Sequence, residues 1–129
     1  MLQYNALINS LTICDIAVGS GHFLVSALNE LIAIKSELGI LADENGKRLS
    51  NHTATVENDE LIIKDKEGNF FTYYITTTNG KLSIPNEEMQ RVQTTLFHEK
   101  QTIIENCLFG VDIIPSQYKF AGCVYGLNC

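Results

Sequence analysis

Asp15-Ile16-Ala17-Val18-Gly19-Ser20-Gly21-His22-Phe23 lies between the apolar run Leu11-Thr12-Ile13-Cys14 and a segment whose apolar residues recur every three or four positions. A short buried strand that ends in an acid, turns through two glycines and opens an amphipathic helix is the layout of a loop that grips a nucleotide-like cofactor. Glycine lacks Cβ, so the backbone can take positive φ and approach a ligand closely. The unpaired N–H groups at the helix start attract an anionic or acceptor group. Asp15, at the carboxyl end of the strand, is placed to accept from a ligand amine or hydroxyl. A dinucleotide fingerprint has a third glycine where this chain has Leu24. A side chain there sits where helix and strand should pack closest, which argues against NAD and FAD.

Working outward, Leu24, Ala27, Leu28, Leu31, Ile34 and Leu38 define one face of a helix from about residue 21 to 38, with Gly39 as its terminator. From about Asp43 the character changes. Residues 54–57, 61–65 and 70–76 are β-rich and separated by Asn58-Asp59 and Lys66-Glu67-Gly68-Asn69, and Asn79-Gly80 marks a further turn before Leu82-Ser83-Ile84. This predicts a small antiparallel meander with one face in water. A second helix starts near Pro85 or Asn86, where Glu87 and Glu88 suit the positive helix end. Met89, Val92, Leu96, Ile103 and Phe97 supply its apolar stripe, and it leads into a strand at 107–112.

Asp15 and Asp112 stand 112 − 15 = 97 positions apart, whereas a β-α-β unit needs only about 30. The meander and second helix therefore read as an insertion between two neighbouring parallel strands, with both acids at one carboxyl edge and a right-handed crossover. The predicted fold is α/β, an incomplete Rossmann-like core with an inserted antiparallel β-meander. Its parts are 1–42 (first strand, loop and helix), 43–84 (the meander) and 85–129 (second helix, second core strand and tail). Because the meander pairs locally, replacing about 43–84 by a short linker is expected to leave the loop and first helix folded.

The pattern Asp-x-Ala-x-Gly-Ser-Gly-x-Phe resembles the first motif of S-adenosylmethionine-dependent, adenine-specific DNA methyltransferases. The resemblance continues through Leu24-Val25-Ser26-Ala27-Leu28-Asn29-Glu30-Leu31, then Phe97-His98-Glu99-Lys100-Gln101 and Leu108-Phe109-Gly110-Val111-Asp112-Ile113. Together these resemble the methyltransferase domain of type IIG restriction-modification enzymes, which carry nuclease, methyltransferase and target recognition on one chain. The resemblance covers about residues 5–116. It implies S-adenosylmethionine as cofactor and contacts to it from Asp15, Ala17, Gly19, Ser20, Gly21, Phe23, Asp112 and Ile113, with Asp112 accepting from the ribose hydroxyls. Phe23 either lines the pocket or packs under the loop.

Two departures bear on activity. The family has proline after the motif acid, where this chain has Ile16, and its Pro-Pro-aromatic catalytic motif is nowhere in the sequence. Without that motif an extruded adenine has no seat, so no catalytic residue is assigned. The stretch from Phe120 to Cys129, with two glycines and no charge, is a poor match to the family's next helix. The chain reads as a truncated product or fragment supplying the cofactor side of the enzyme. Two alternatives stay open: a non-enzymatic remnant acting as an interaction module, and a nucleotide-binding protein of other chemistry.

Composition limits the partners. With 9 basic and 15 acidic residues the net charge is −6, the wrong sign for a phosphate-neutralising surface. DNA is expected as a partner of the intact enzyme but weakly or not at all for this chain, and the missing remainder of a methyltransferase is a candidate partner. No run of 18 apolar residues and no leader pattern is present, so the chain reads as cytoplasmic with no membrane partner. Cys14, Cys107, Cys123 and Cys129 show no metal-ligand spacing; Cys14 and Cys107 are read as reduced thiols in buried strands. His22 reads as a solvated or capping residue, and Glu57 to Glu60 as a solvated turn.

Overall fold

The computed structural model describes residues 2–71, 77–78, 81–82 and 87–111. They form a mixed α/β structure with small parallel and antiparallel sheets. In chain order these are α1 (Leu2–Asn9), β1 (Ile13–Asp15), α2 (His22–Glu37), β2 (His52–Glu57), β3 (Glu60–Asp65), β4 (Thr77–Thr78), β5 (Lys81–Leu82), α3 (Glu87–Cys107) and β6 (Leu108–Gly110).

β1 and β6 pair in parallel, with Ile13 opposite Leu108, Cys14 opposite Phe109 and Asp15 opposite Gly110. Strands far apart in sequence thus become neighbours, and everything from α2 to α3 forms the crossover between them. α2 and α3 pack against each other, and α2 lies against both strands. Ile13, Leu108 and Gly110 turn toward the helices, and Cys14 and Phe109 face the other way. Period-two alternation sends adjacent residues to opposite faces, and among the described residues nothing covers the second face. Cys14 is accordingly exposed, which corrects its expected burial. Cys107 is buried as expected, but as the last residue of α3 rather than inside a strand. Its Sγ lies 3.6 Å from the carbonyl oxygens of Ile8 and Asn9, and burial pushes the thiol pKa up.

The core consists of Leu24, Leu28, Leu31 and Ile32 from α2, Val92, Ile103 and Cys107 from α3, and Ile8, Val18, Ile40, Leu41, Leu49, Ala54 and Leu108. α1 has no counterpart in the sequence reading; Ile8 anchors it to this cluster. On α2 the expected stripe is rotated. Ile34 and Leu38 are exposed, and Ile32 and Lys35 are buried in their place. Leu31-Ile32-Ala33-Ile34 is apolar all round, so periodicity leaves the inward face open there. On α3, Phe97 is likewise exposed, while Thr95 and Glu99 are buried.

α2 ends as Gly39 predicts. Gly39 has φ 65°, its N–H donates to the carbonyl of Ser36, and that of Ile40 to the carbonyl of Lys35, the paired closure of a Schellman motif.

The strand-rich segment forms two separate antiparallel pairs, β2 with β3 and β4 with β5, plus a bridge between Lys64 and Phe70. Residues 72–76, which carry the third expected strand, lie outside the described residues. The β2–β3 hairpin packs directly on α2. Ala54 belongs to the core, Leu61, Ile63 and Phe71 pack against it, and the Ala54 N–H donates to Ser36 Oγ at 2.7 Å. The segment 43–84 thus shares its core with α2: local pairing does not keep the hairpin's apolar face from packing on the helix.

Candidate functional site

The loop from Asp15 to Phe23 leaves the carboxyl end of β1 and enters α2. Val111, just beyond β6, brackets it: its N–H donates to the Asp15 carbonyl at 2.9 Å, and its carbonyl accepts from the Val18 N–H at 3.1 Å. Val18 is buried and pins the middle of the loop to the core. The Gly21 N–H closes a turn on the Val18 carbonyl at 2.8 Å.

Both motif glycines use the left-handed region, Gly19 at φ 51° and Gly21 at φ 79°. Gly21 is the N-cap of α2 and, as a glycine, brings no side-chain cap to the first N–H groups of the helix. Among the described residues a Cβ built on Gly19 would meet only the Ala17 carbonyl oxygen, at 4.0 Å. The described residues leave the space above this glycine open to a ligand.

Asp15 accepts from the Ala17 N–H through Oδ1 at 3.0 Å, an Asx turn of the kind that ends strands. Half of the carboxylate thus shapes the loop. Among the described residues no donor reaches its other oxygen, Oδ2, which remains available to a ligand amine or hydroxyl. Ala17, Ser20 and Phe23 are exposed; at 59% exposure Phe23 is not packed under the loop. The structure thus brings Asp15, Ala17, Gly19, Ser20, Gly21 and Phe23 together in one turn. Asp112 and Ile113 lie outside the described residues.

Sequence reasoning did not foresee the hairpin's part here. The β2–β3 turn brings Asp59 to α2. Its Oδ2 lies 3.1 Å from His22 Nε2, its Oδ1 accepts from Ser26 Oγ at 2.9 Å, and its carbonyl accepts from Asn29 Nδ2 at 3.2 Å. Nothing in a one-dimensional reading ties position 59 to position 22; the Asn58-Asp59 turn signal locates the bend but not what it touches.

At the other end of α2, Lys35 and Glu99 form a buried ion pair at 2.6 Å, and Glu99 Oε1 accepts from the Ala42 N–H at 3.0 Å. Glu99 falls in the quoted stretch 97–101, and here it clamps α3 to α2 rather than meeting a ligand. Grooves of about 470 Å³ between α2 and β2 and about 430 Å³ beside Lys47, Asn51 and Arg91 both lie away from the glycine loop.

Among the described residues no three His, Cys, Asp or Glu side chains gather to hold a metal, and no helix is long and apolar enough to cross a membrane. No family model, curated protein or solved structure matches the chain.

Proposed function

We propose that this chain is the cofactor-binding part of an S-adenosylmethionine-dependent, adenine-specific DNA methyltransferase of the restriction-modification type. On this reading it is an incomplete Rossmann-like core with the β-rich segment inserted after its first helix. The observation that carries the reading is the parallel pairing of β1 with β6, with a glycine turn at its carboxyl edge. Ligands of open α/β sheets sit at that edge. The motif quoted for the resemblance falls on this turn, and its open face over Gly19 and the spare oxygen of Asp15 suit a cofactor bearing an amine and hydroxyls.

The residues divide the work by chemistry. Gly19 admits the ligand to the backbone, Gly21 shapes the turn into α2, Asp15 accepts from the ligand's amino group, and Asp112 accepts from the ribose hydroxyls. Ala17, Ser20, Phe23 and Ile113 line the remainder. The bound cofactor supplies an electrophilic methyl group, whose transfer to an amine depends on orientation and electrostatics. This chain holds the cofactor and leaves the base to another part of the enzyme. Its net charge of −6 speaks for weak DNA affinity of its own.

The test is a thermal-shift comparison of S-adenosylmethionine, NAD and ATP on the full chain, followed by calorimetry on Asp112→Ala. S-adenosylmethionine alone is expected to raise the melting temperature, and Asp112→Ala to cost about 1–3 kcal/mol of binding through lost charge-assisted hydrogen bonds. A shift with NAD or ATP and none with S-adenosylmethionine overturns the reading. Labelled-methyl transfer to mixed-sequence DNA is expected at background for the chain alone.

A further inference from the structure

We infer that Asp59, at the tip of the β2–β3 hairpin, is a positioning residue for the glycine loop, an inference that rests on the cofactor-binding reading above. Asn58 and Asp59 both have positive φ, 52° and 69°, and Glu57 pairs with Glu60 across them. Two-residue hairpin turns of this kind favour glycine at the second central position, because an L side chain there is strained. Here that position holds an aspartate, and its carboxylate and carbonyl are both in use.

Their three partners, His22, Ser26 and Asn29, are spaced four and three apart and so form one stripe along the first two turns of α2. A contact at three points along a helix biases both its rotation and its axial position. The buried stripe beginning at Leu24 and Leu28 holds the same turns from the core side.

His22 directly follows Gly21, where the chain turns from the loop into the helix. The N-cap brings no side chain to steady that turn. The direction of the first N–H groups is therefore set from two sides, by the Val111 bracket on the strand side and by Asp59 on the hairpin side. A segment that contributes no residue to the loop thus governs how the loop's donors are aimed.

The experiment compares amide hydrogen exchange and calorimetric binding of S-adenosylmethionine for the full wild-type chain, Asp59→Ala and Asp59→Asn. With Asp59→Ala, exchange at Val25, whose N–H is bonded to the Gly21 carbonyl at 3.0 Å, and at Ser26 is expected to rise roughly tenfold while Ile32 and Ile103 stay protected, as for a local opening. Cofactor binding should weaken roughly three- to tenfold, the scale of a few partly exposed hydrogen bonds. Asp59→Asn should recover most of both, because the amide can accept from Ser26 and donate to a neutral imidazole.

Faster exchange confined to 57–60, with the loop unchanged, overturns the inference, as does Asp59→Asn behaving like Asp59→Ala. If Asp59→Ala unfolds the chain, Ser26→Ala carries the same readout. If the loop responds but wild type does not bind S-adenosylmethionine, the cofactor reading fails and the positioning role stands.

Discussion

The two ends of α2 are held by the same kinds of group in opposite surroundings. At the start, His22 and Asp59 meet with side chains 78% and 52% exposed. At the finish, Lys35 and Glu99 meet at 0% and 5% exposure, and Ser36 receives the Ala54 N–H. Exposed polar or charged side-chain pairs of this kind contribute about 0–1 kcal/mol. A buried charge instead makes its partner indispensable, because desolvation costs several kcal/mol per ion and only close pairing offsets it. One end is thus locked and the other adjustable. Binding loops come from the weakly held parts of a fold, and the glycine loop sits at the weakly held end.

The largest expected effect comes from breaking the locked end. Glu99→Ala leaves the Lys35 ammonium buried without its carboxylate and the Ala42 N–H without its acceptor, at a cost of about 3–5 kcal/mol in chemical denaturation. The double change Lys35→Met with Glu99→Leu should be far milder than Glu99→Ala. If the double variant is as unstable as the single one, burial of an unpaired charge is the wrong explanation.

Ser36→Ala comes next. It removes the acceptor of the Ala54 N–H at the hairpin junction and should cost about 1–3 kcal/mol. The hairpin should loosen with α2 still formed, seen as faster exchange at Ala54 and Thr55 than at Ile32.

Glycine substitutions sharpen the other side of the comparison. Gly19→Ala and Gly46→Ala both force a side chain onto positive φ, 51° and 77°, and neither Cβ meets anything closer than 4.0 Å. Each should therefore cost about 1–2 kcal/mol of stability. Only Gly19→Ala should also weaken S-adenosylmethionine binding in calorimetry. Equal loss from both would mean that affinity follows stability and not approach to the loop.

The smallest effect is acid sensitivity near the locked end. The Lys47 N–H and the Arg91 guanidinium hold the Asp43 carboxyl below its usual range, and the Asn69 side chain and N–H do the same for Asp65. Because the folded values lie below the unfolded ones, this stabilisation is fully present above about pH 4 and is lost as pH falls through the depressed values. Melting temperature measured from pH 6 to pH 2 should fall less steeply for Asp43→Asn than for wild type.

The loop was legible because its signals are local. A strand-end acid, glycines needing positive φ and a helix start are written within nine consecutive residues, and the same holds for the Gly39 helix stop and the Asn58-Asp59 turn. The inward face of α2 was not, since Leu31 to Ile34 are all apolar and packing against α3 decides among them. The buried Lys35 and Glu99 were hidden for a similar reason: either alone reads as a solvated charge, and only the other makes its burial tolerable.

The sequence by itself determined the elements that flank the glycine turn, the long separation between two strands that belong side by side, and the acidic balance of the chain. Each rests on backbone preference or composition, which act over a few residues or over no distance at all. Tertiary structure alone decided that the hairpin shares the core of α2, that Asp59 reaches His22, and that Cys14 faces outward beside Phe109. Those outcomes depend on which surfaces meet after the chain has closed loops of 18 residues and more, and contacts between such distant positions leave no periodicity to read.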